Sequence, residues 1–371
     1  MGALSRVAWA LAAAFGTVGV AAVGSEAPSD GWLAVSGPPE LELPRDHGAH
    51  PGHRTEWWYL TGLVESETGE RFGFQLTFFR QGLAPGPGRP GDSALRARQV
   101  LAAHLAVADI GRQRFLHAER LRRADGGLAG FATDDLELWL DDWRLERRAD
   151  GALVARARDA ERELGLELEL RLTRELVRHG DLGYSQKGPE PGNASAYLSW
   201  TRLLVAGQLE VGGKTSRVRG TAWFDHEWGT SQLGDGVVGW DWFSLRLDDG
   251  RDLMVYRLRR ADGSADPFSS GTLVDADGEV VRLGRDEVAI VPRAWWTSPA
   301  TGARYPVRWR LEVPSADIEL DVRSLLEAAE LDGTATTGVV YWEGPVAATG
   351  SAAGEGYAEL TGYAGSLEGR F

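Results

Sequence analysis

Short runs of alternating apolar and polar residues extend from about residue 30 to the end of the chain. Clear examples are residues 72–78, 164–172 and 307–313. Side chains on a β-strand point alternately to the two faces of a sheet, so this two-residue period is typical of half-buried strands. Between such runs stand Asp-Gly pairs, which are typical of hairpin turns; they occur at 125–126, 150–151, 249–250, 262–263 and 277–278. The pattern predicts an all-β protein built from antiparallel barrels or sandwiches.

The length of 371 residues, 43% of them hydrophobic, is enough for about two globular domains. No clear linker separates two halves, and the best boundary lies near residues 229–236. We therefore predict an N-terminal domain over 35–231 and a C-terminal domain over 232–371. Residues 323–329 are a candidate short helix.

The N-terminus has the order of a secretory signal peptide. Arg6 precedes an apolar run over residues 7–23, and small residues follow at the end of that run. We predict a signal peptide over 1–24, cleaved near Gly24, and a periplasmic or secreted mature protein. An uncleaved membrane anchor is the alternative, since the run is marginally long enough to span a bilayer. No other apolar run is long enough, so we expect no stable membrane span after cleavage.

The charge and the absence of cysteine exclude several classes of function. The net charge is −14, from 54 acidic and 40 basic residues. This argues against nucleic acid or an anionic membrane as the main partner. Because the chain has no Cys, disulfides, thiolate catalysis and Cys-ligated metals are excluded.

Two segments combine tryptophan with carboxylates, and they lie about 170 residues apart. Residues 53–62 read HRTEWWYLTG; residues 223–229 read WFDHEWG and are followed by GWDWF at 239–243. A large apolar ring beside a titratable group suits a site that binds a hydrophobic ligand and transfers protons to it. The structural alternative is that these tryptophans belong to the cores of the barrels.

Strand alternation places His226 and Trp228 on one face of the second segment, with Asp225 and Glu227 on the other. His226 against Trp228 is a candidate acid/base group whose proton affinity burial would tune. The alternative is a histidine hydrogen-bonded within the packing between the domains.

The same alternation pairs Glu56 with Trp58 in the first segment, while Asp241 stands between Trp240 and Trp242. A buried Asp241 needs partners, or it is protonated and can then act as a general acid.

Three histidines three residues apart form a cluster near the start of the first segment. His47, His50 and His53, together with Asp46, offer groups that bind metals. This spacing would serve a helix, but the intervening Gly and Pro residues prevent one. We therefore favour the interpretation that the segment closes one end of the first barrel, and we assign no metal and no cofactor.

Five segments together carry a resemblance to the AttH and carotenoid 1,2-hydratase family, in particular to its secreted branch of predicted hydrolases. They cover residues 53–59, 73–80, 223–229, 341–346 and 356–363. The resemblance spans roughly residues 35–371. It implies two tandem lipocalin-like β-barrels with a ligand pocket near their junction.

The family chemistry implied by this resemblance is acid-assisted addition of water to an alkene. Protonation of one alkene carbon leaves a cation, which aromatic faces stabilise. We therefore carry the roles over to this chain as follows: catalytic His226, Asp241, Asp225 and Glu56; ligand-binding Trp228, Trp58, Trp240, Trp242, Tyr59 and Gln75. We expect His226, Trp228, Glu56 and Asp241 to approach one apolar cavity at the domain junction.

The partner expected from this interpretation is a small hydrophobic molecule, such as an isoprenoid, a polyene or a lipid. Two other classes remain open, namely a non-catalytic lipocalin-like lipid binder and a secreted hydrolase. The sequence does not determine the substrate or the oligomeric state.

Overall fold

The structure is a computed structural model that describes residues 31–86, 97–124, 126–190, 192–230 and 233–368. The predicted signal peptide lies outside these residues. Almost all regular structure is β, which confirms the all-β prediction. The described residues also contain three single-turn 3₁₀ helices, at Arg45–His47, Arg285–Glu287 and Pro314–Ala316. None of the helices in the described ranges has the length and apolarity that crossing a bilayer requires.

In the part of the chain that the structure describes, the first sheet has 13 strands and curls into a barrel. Its hydrogen-bonded order is β4-β3-β2-β1-β13-β12-β9-β8-β7-β6-β5, with β10 and β11 paired to β12. Arg120 of β4 forms an ion pair with Asp142 and lies over the ring of Trp143, and both partners follow β6 directly. The two ends of the sheet are therefore in contact. The strands are β1 (Thr55–Ser66), β2 (Arg71–Gly82), β3 (Gln99–Asp109), β4 (Arg114–Arg123), β5 (Ala129–Phe131), β6 (Glu137–Leu140), β7 (Trp143–Arg147), β8 (Leu153–Asp159), β9 (Leu164–Leu172), β10 (Val177–Arg178), β11 (Tyr184–Gln186), β12 (Ala194–Val211) and β13 (Lys214–Gly229).

The second sheet has 10 strands in the order β17-β16-β15-β14-β23-β22-β20-β19-β18, with β21 paired to β22. It curls around its own core and forms a half-barrel. Together the two curled antiparallel sheets confirm the predicted tandem architecture. The strands are β14 (Val237–Leu247), β15 (Asp252–Arg260), β16 (Ser270–Val274), β17 (Val280–Gly284), β18 (Ala289–Thr297), β19 (Arg304–Val313), β20 (Ile318–Ser324), β21 (Glu330–Gly333), β22 (Val339–Gly350) and β23 (Gly354–Leu360).

The first sheet ends at Gly229 and the second begins at Val237. The assignment of 35–231 and 232–371 as domains stays a prediction, because only the two separated halves could show whether each folds by itself. The candidate helix at 323–329 is wrong: its first two residues belong to β20 and the rest is irregular. Its apolar residues Leu326 and Ala329 pack into the second core without helical hydrogen bonds.

Three predicted Asp-Gly pairs lie in turns between paired neighbouring strands, at 150–151, 249–250 and 277–278. Gly250 and Gly278 both have φ of +93°. A side chain would strain this left-handed backbone, which is why glycine ends the pair.

Strand β1 is buried on both faces, and this explains how the site is assembled. Trp58 and Leu60 point into the core of the first barrel. Tyr59 and Leu63 point the other way and pack against Trp242 and Tyr357 of the second sheet. One face of β1 therefore fills a barrel, while the other contributes to the contact between the two sheets.

Candidate functional site

A cavity of about 420 Å³ lies between the two sheets. This volume falls within the range of roughly 300–1,000 Å³ that is usual for small-molecule sites. Much of the wall is aromatic, and both sheets contribute to it: Tyr59, Tyr197, Trp240, Trp242, Tyr256 and Tyr341. Charged or titratable residues also bound the cavity, namely Glu56, Arg80, Lys187, Asp225, Glu227 and Glu359.

The two Trp-rich segments are neighbouring antiparallel strands, although they are far apart in the chain. In the register of β1 and β13, Trp57 lies opposite Glu227 and Tyr59 opposite Asp225. Residues opposite each other share a face, so these four side chains all face the second sheet. The two segments, about 170 residues apart in the chain, thus pair and together form one side of the cavity wall.

Asp225 is held by three hydrogen-bond donors. The Tyr197 hydroxyl donates to Oδ2 at 2.7 Å, the Trp223 indole donates to Oδ1 at 2.5 Å, and the Ser199 hydroxyl also donates to Oδ1. Burial raises the pKa of Asp225 to about 7, and these hydrogen bonds oppose the rise. Because the Trp242 indole donates to the Tyr197 oxygen at 2.9 Å, Tyr197 connects Asp225 to the second sheet.

Glu227 pairs with Lys187, one of the chain's two lysines. The ammonium group also donates to the Ser195 hydroxyl at 2.8 Å. It lies 5.2 Å from the ring centres of both Tyr197 and Tyr256, within reach of cation–π attraction. Lys187 and Glu227 therefore form an ion pair, which places a fixed dipole at the cavity wall.

Glu359 is the carboxyl that the second sheet presents to the cavity. Its Oε2 accepts a hydrogen bond from the Trp240 indole at 3.0 Å. Burial raises its pKa to about 7, and the charge on Glu227 adds to the rise. Part of its surface stays accessible because it faces the cavity rather than packed protein.

Glu343 lies directly opposite Glu359 in the β22–β23 ladder. Its carboxyl is buried near the Tyr59 and Tyr341 hydroxyls, and burial raises its pKa well above the ordinary range. Within the described residues, neither Glu343 oxygen makes a hydrogen bond of good geometry. The two tyrosine hydroxyls are therefore neighbours of this carboxyl and not its hydrogen-bond partners. Two buried carboxyls side by side do not both ionise, so this pair holds at least one proton near neutral pH.

Gln75 supports the cavity wall from behind. Its amide donates to the Tyr341 hydroxyl at 3.0 Å, and His104 Nδ1 lies 2.8 Å from the same hydroxyl. Tyr341 lines the cavity, so Gln75 acts on the wall through this tyrosine.

A second polar cluster lies on the opposite face of the first sheet. Glu56 contacts Arg80 Nε at 2.7 Å, His226 Nε2 at 2.9 Å and His50 Nδ1 at 2.8 Å. Burial alone would raise the pKa of Glu56, but Arg80 and the two histidines hold it well below the ordinary range. Burial lowers the pKa of His226, against the attraction of Glu56.

The four residues expected at one cavity are therefore divided between two places: Glu56, His226 and Trp228 belong to this cluster, and Asp241 lies elsewhere. Glu56 is among the residues that bound the cavity, but its carboxylate points toward His226 and away from the Asp225 face. Trp228 stacks on His50, with ring centres 3.7 Å apart. Asp241 faces the second half-barrel and accepts hydrogen bonds from Arg259 at 3.0 Å and Tyr363 at 2.9 Å.

The geometric expectation for these four residues is thus wrong for His226, Trp228 and Asp241. The physical reason is the two-residue period of a strand: these residues alternate with the ones that do face the cavity. Trp58 likewise stacks on His226 inside the first barrel. Of the other candidates, Asp225, Tyr59, Trp240 and Trp242 line the cavity. The catalytic and binding roles of all these residues stay predictions.

Sequence reasoning missed several residues of the cavity, namely Lys187, Tyr197, Glu227, Tyr256, Tyr341 and Glu359. For two of them the sequence contained a clue to a role in the site. Lys187 is rare by type, since Lys214 is the only other lysine in the chain. Glu227 shares a strand face with Asp225. The remaining residues stand on ordinary strands, and only the packing of the two sheets brings them together.

The raised pKa values of Asp225 and Glu359 make the native state less stable as the pH rises. Carboxyls of an unfolded chain ionise near pH 4, whereas these two keep their protons to about pH 7. The stability that they contribute is therefore fully present below about pH 4 and is lost as the pH rises from about 4 to 7.

In Glu359→Gln, we expect the free energy of unfolding to fall less steeply between about pH 5 and pH 7, with a slope smaller by up to about 1.4 kcal/mol per pH unit. Urea titrations across this range measure it, and parallel curves for variant and wild type would contradict it.

Comparison with known proteins agrees with this architecture. A crystal structure from Nitrosomonas europaea, provisionally assigned as AttH, superposes with a TM-score of 0.81 at 38% identity, covering 89% of this chain and 100% of that one. Kievitone hydratase from Nectria haematococca superposes with a TM-score of 0.64, covering 89% and 95% of the two chains; its 12% identity shows a shared fold alone.

Among curated proteins, the dehydratase asqC of Emericella nidulans is 23% identical over 188 residues, which is 48% of this chain. The match spans 51% of that dehydratase, about half of its length. The model of the AttH-like family matches residues 34–363, nearly everything that the structure describes. The chain therefore belongs to the AttH-like family.

Proposed function

We propose that this protein is a hydro-lyase that adds water to, or removes it from, a small hydrophobic substrate held between the two sheets. One observation carries the proposal. Asp225 and Glu359 enter the same cavity from different sheets, and burial raises the pKa of each to about 7. Near neutral pH such a pair can supply one acid and one base, which is what hydration and dehydration need.

Strand β14 supports both carboxyls. The Trp240 indole donates to Glu359, and the Trp242 indole donates to Tyr197, which in turn donates to Asp225. Neighbouring aromatic rings and an apolar wall would accept an isoprenoid, polyene or lipid skeleton. Their faces would also stabilise a carbocation that forms during the reaction.

In the hydration direction, protonated Glu359 gives its proton to one alkene carbon and leaves a cation on the other. A water molecule attacks the cation and forms the new carbon–oxygen bond. The excess proton of this water passes to the Tyr197 oxygen as Tyr197 gives its own proton to Asp225. Exchange with solvent restores both carboxyls, and dehydration is the same sequence reversed.

The names of two relatives support this reaction class, since one is a hydratase and another a dehydratase. The chemistry of the wall disfavours a hydrolase with a serine or cysteine nucleophile. Among the described residues that line the cavity, none is Ser, Cys or His. Binding without turnover, as in a lipid carrier outside the cytoplasm, is the other outcome to be separated by experiment.

The test begins with the ligand that co-purifies with the protein. Solvent extracts are analysed by mass spectrometry, and matched alkenes and tertiary alcohols are then incubated with the protein in water labelled with heavy oxygen. A hydro-lyase produces an alcohol that carries the label, or an alkene that has lost one water. A ligand that binds tightly and is recovered unchanged in every case would show a carrier and overturn the proposal.

A further inference from the structure

The cluster behind the cavity wall brings together side chains that suit a metal ion. His50 comes from the segment that precedes β1, Glu56 from β1 and His226 from β13. The His50 Nδ1, Glu56 Oε1 and His226 Nε2 atoms all lie within 4.8 Å of one another. Two imidazoles and one carboxylate form a ligand set that divalent transition metals, zinc above all, accept in proteins.

Residues around the three atoms orient them toward a common point. Asp46 Oδ1 lies 3.2 Å from His50 Nε2, so it can hold a proton on that nitrogen, and Nδ1 is the ring atom that faces Glu56. Carboxylates fix metal-bound histidines in this way. Arg80 holds the other oxygen of Glu56, Oε2, at 2.7 Å. Oε1 faces both imidazoles and also accepts the His50 backbone N–H at 3.1 Å, so it is the oxygen that would bind an ion.

Stacking holds the two rings in place. The His50 ring lies parallel to Trp228, at an angle of 4°, and the His226 ring stacks on Trp58 at 18°. These tryptophans limit the rotation of both imidazoles, so little conformational entropy is lost when an ion binds.

We propose that His50, Glu56 and His226 bind one divalent transition-metal ion, which fastens the segment before β1 to the first barrel. In the metal-free chain, the rings donate protons to Glu56 Oε1 over 2.8 and 2.9 Å. The ion takes the place of those shared protons: the proton of His50 leaves to solvent, and the proton of His226 moves to its outer nitrogen, Nδ1.

The charges near the site set its strength. Asp46 and Glu56 supply two negative charges, while Arg80 pairs with Glu56 and the half-exposed Arg45 pairs with Asp46. These positive charges oppose a cation, so we expect the affinity to be below that of closed four-ligand sites. The site lies on the opposite face of the sheet from Asp225 and Glu227, so this inference is independent of the proposed reaction.

Untagged protein, stripped with a chelator, tests the site directly. Calorimetry with Zn²⁺ should give one ion per chain, and Zn²⁺ should raise the melting temperature. Co²⁺ should give visible absorption bands typical of a site with nitrogen ligands. His50→Ala should lose all three signals; because His50 lies on a partly exposed segment, this variant is expected to fold.

His117→Ala is the matched control, since His117 lies on β4 outside the cluster and should leave Zn²⁺ binding unchanged. His226→Ala is a second test from within the barrel. The proposal is overturned if wild type takes up no Zn²⁺, or if His50→Ala binds it as wild type does.

Discussion

Replacing Glu359 with Gln is expected to lower turnover by about 10²–10⁴-fold, the usual contribution of a positioned acid or base. The glutamine keeps the volume and can still accept the hydrogen bond from Trp240, but it has no acidic proton to give. Apolar contacts with the ligand are unchanged, so the dissociation constant should stay close to that of wild type. Turnover is measured with the substrate that heavy-oxygen labelling identifies, and binding by quenching of tryptophan fluorescence.

Glu355→Gln is the matched control for this change. It lies on the same strand, β23, but its side chain is partly exposed and pairs with Arg71. Its turnover should equal that of wild type. Wild-type turnover in Glu359→Gln, with Glu355→Gln also unaffected, would remove Glu359 from the reaction.

Replacing Glu56 with Ala is expected to reduce the free energy of unfolding by about 3–5 kcal/mol. Glu56 and Arg80 are both buried, and their side chains form an ion pair at 2.7 Å. Without Glu56, the Arg80 guanidinium keeps its charge inside the barrel with only neutral partners. Those partners are Gln99 and the carbonyls of His50 and His53. Urea unfolding in the presence of a chelator measures the loss without any contribution from bound metal.

An exposed acid on the same strand provides the comparison for this variant. Glu65→Ala, also on β1, should change the unfolding free energy by no more than about 0.5 kcal/mol. Replacing Glu56 and Arg80 together by Gln and Met should cost less than Glu56→Ala alone, because no unpaired charge remains. A loss below about 1 kcal/mol for Glu56→Ala would show that the pair is not held as described.

Much of the fold followed from local pattern. Alternating runs such as residues 164–172 became β-strands, and the Asp-Gly pairs at 249–250 and 277–278 became turns between neighbouring strands. These features depend on backbone conformation and on one buried face, which a few consecutive residues determine. The segment 323–329 shows the limit of local pattern. Its apolar spacing suggested a helix, but its apolar residues pack into the second core without one.

The candidate site was recognised as a region, but three of the four residues expected to meet there, His226, Trp228 and Asp241, face elsewhere. Strand alternation separated Asp225 from His226 correctly, yet it could not say which face would meet the second sheet. A strand buried on both sides gives no polar face to mark the solvent. Asp225 rather than His226 therefore turned out to face the cavity, and Asp241 turned out to lie behind Trp240 and Trp242.

The sequence by itself determined that this chain forms antiparallel strands and that its two Trp-rich segments carry titratable groups. Only the tertiary structure decided that these segments pair as β1 and β13, and that β23 brings Glu359 to the same cavity. Local patterns constrain dihedral angles and burial over a few residues. The position of Glu359 relative to Asp225 depends instead on how two curled sheets pack, which is a property of contacts between residues far apart in the chain.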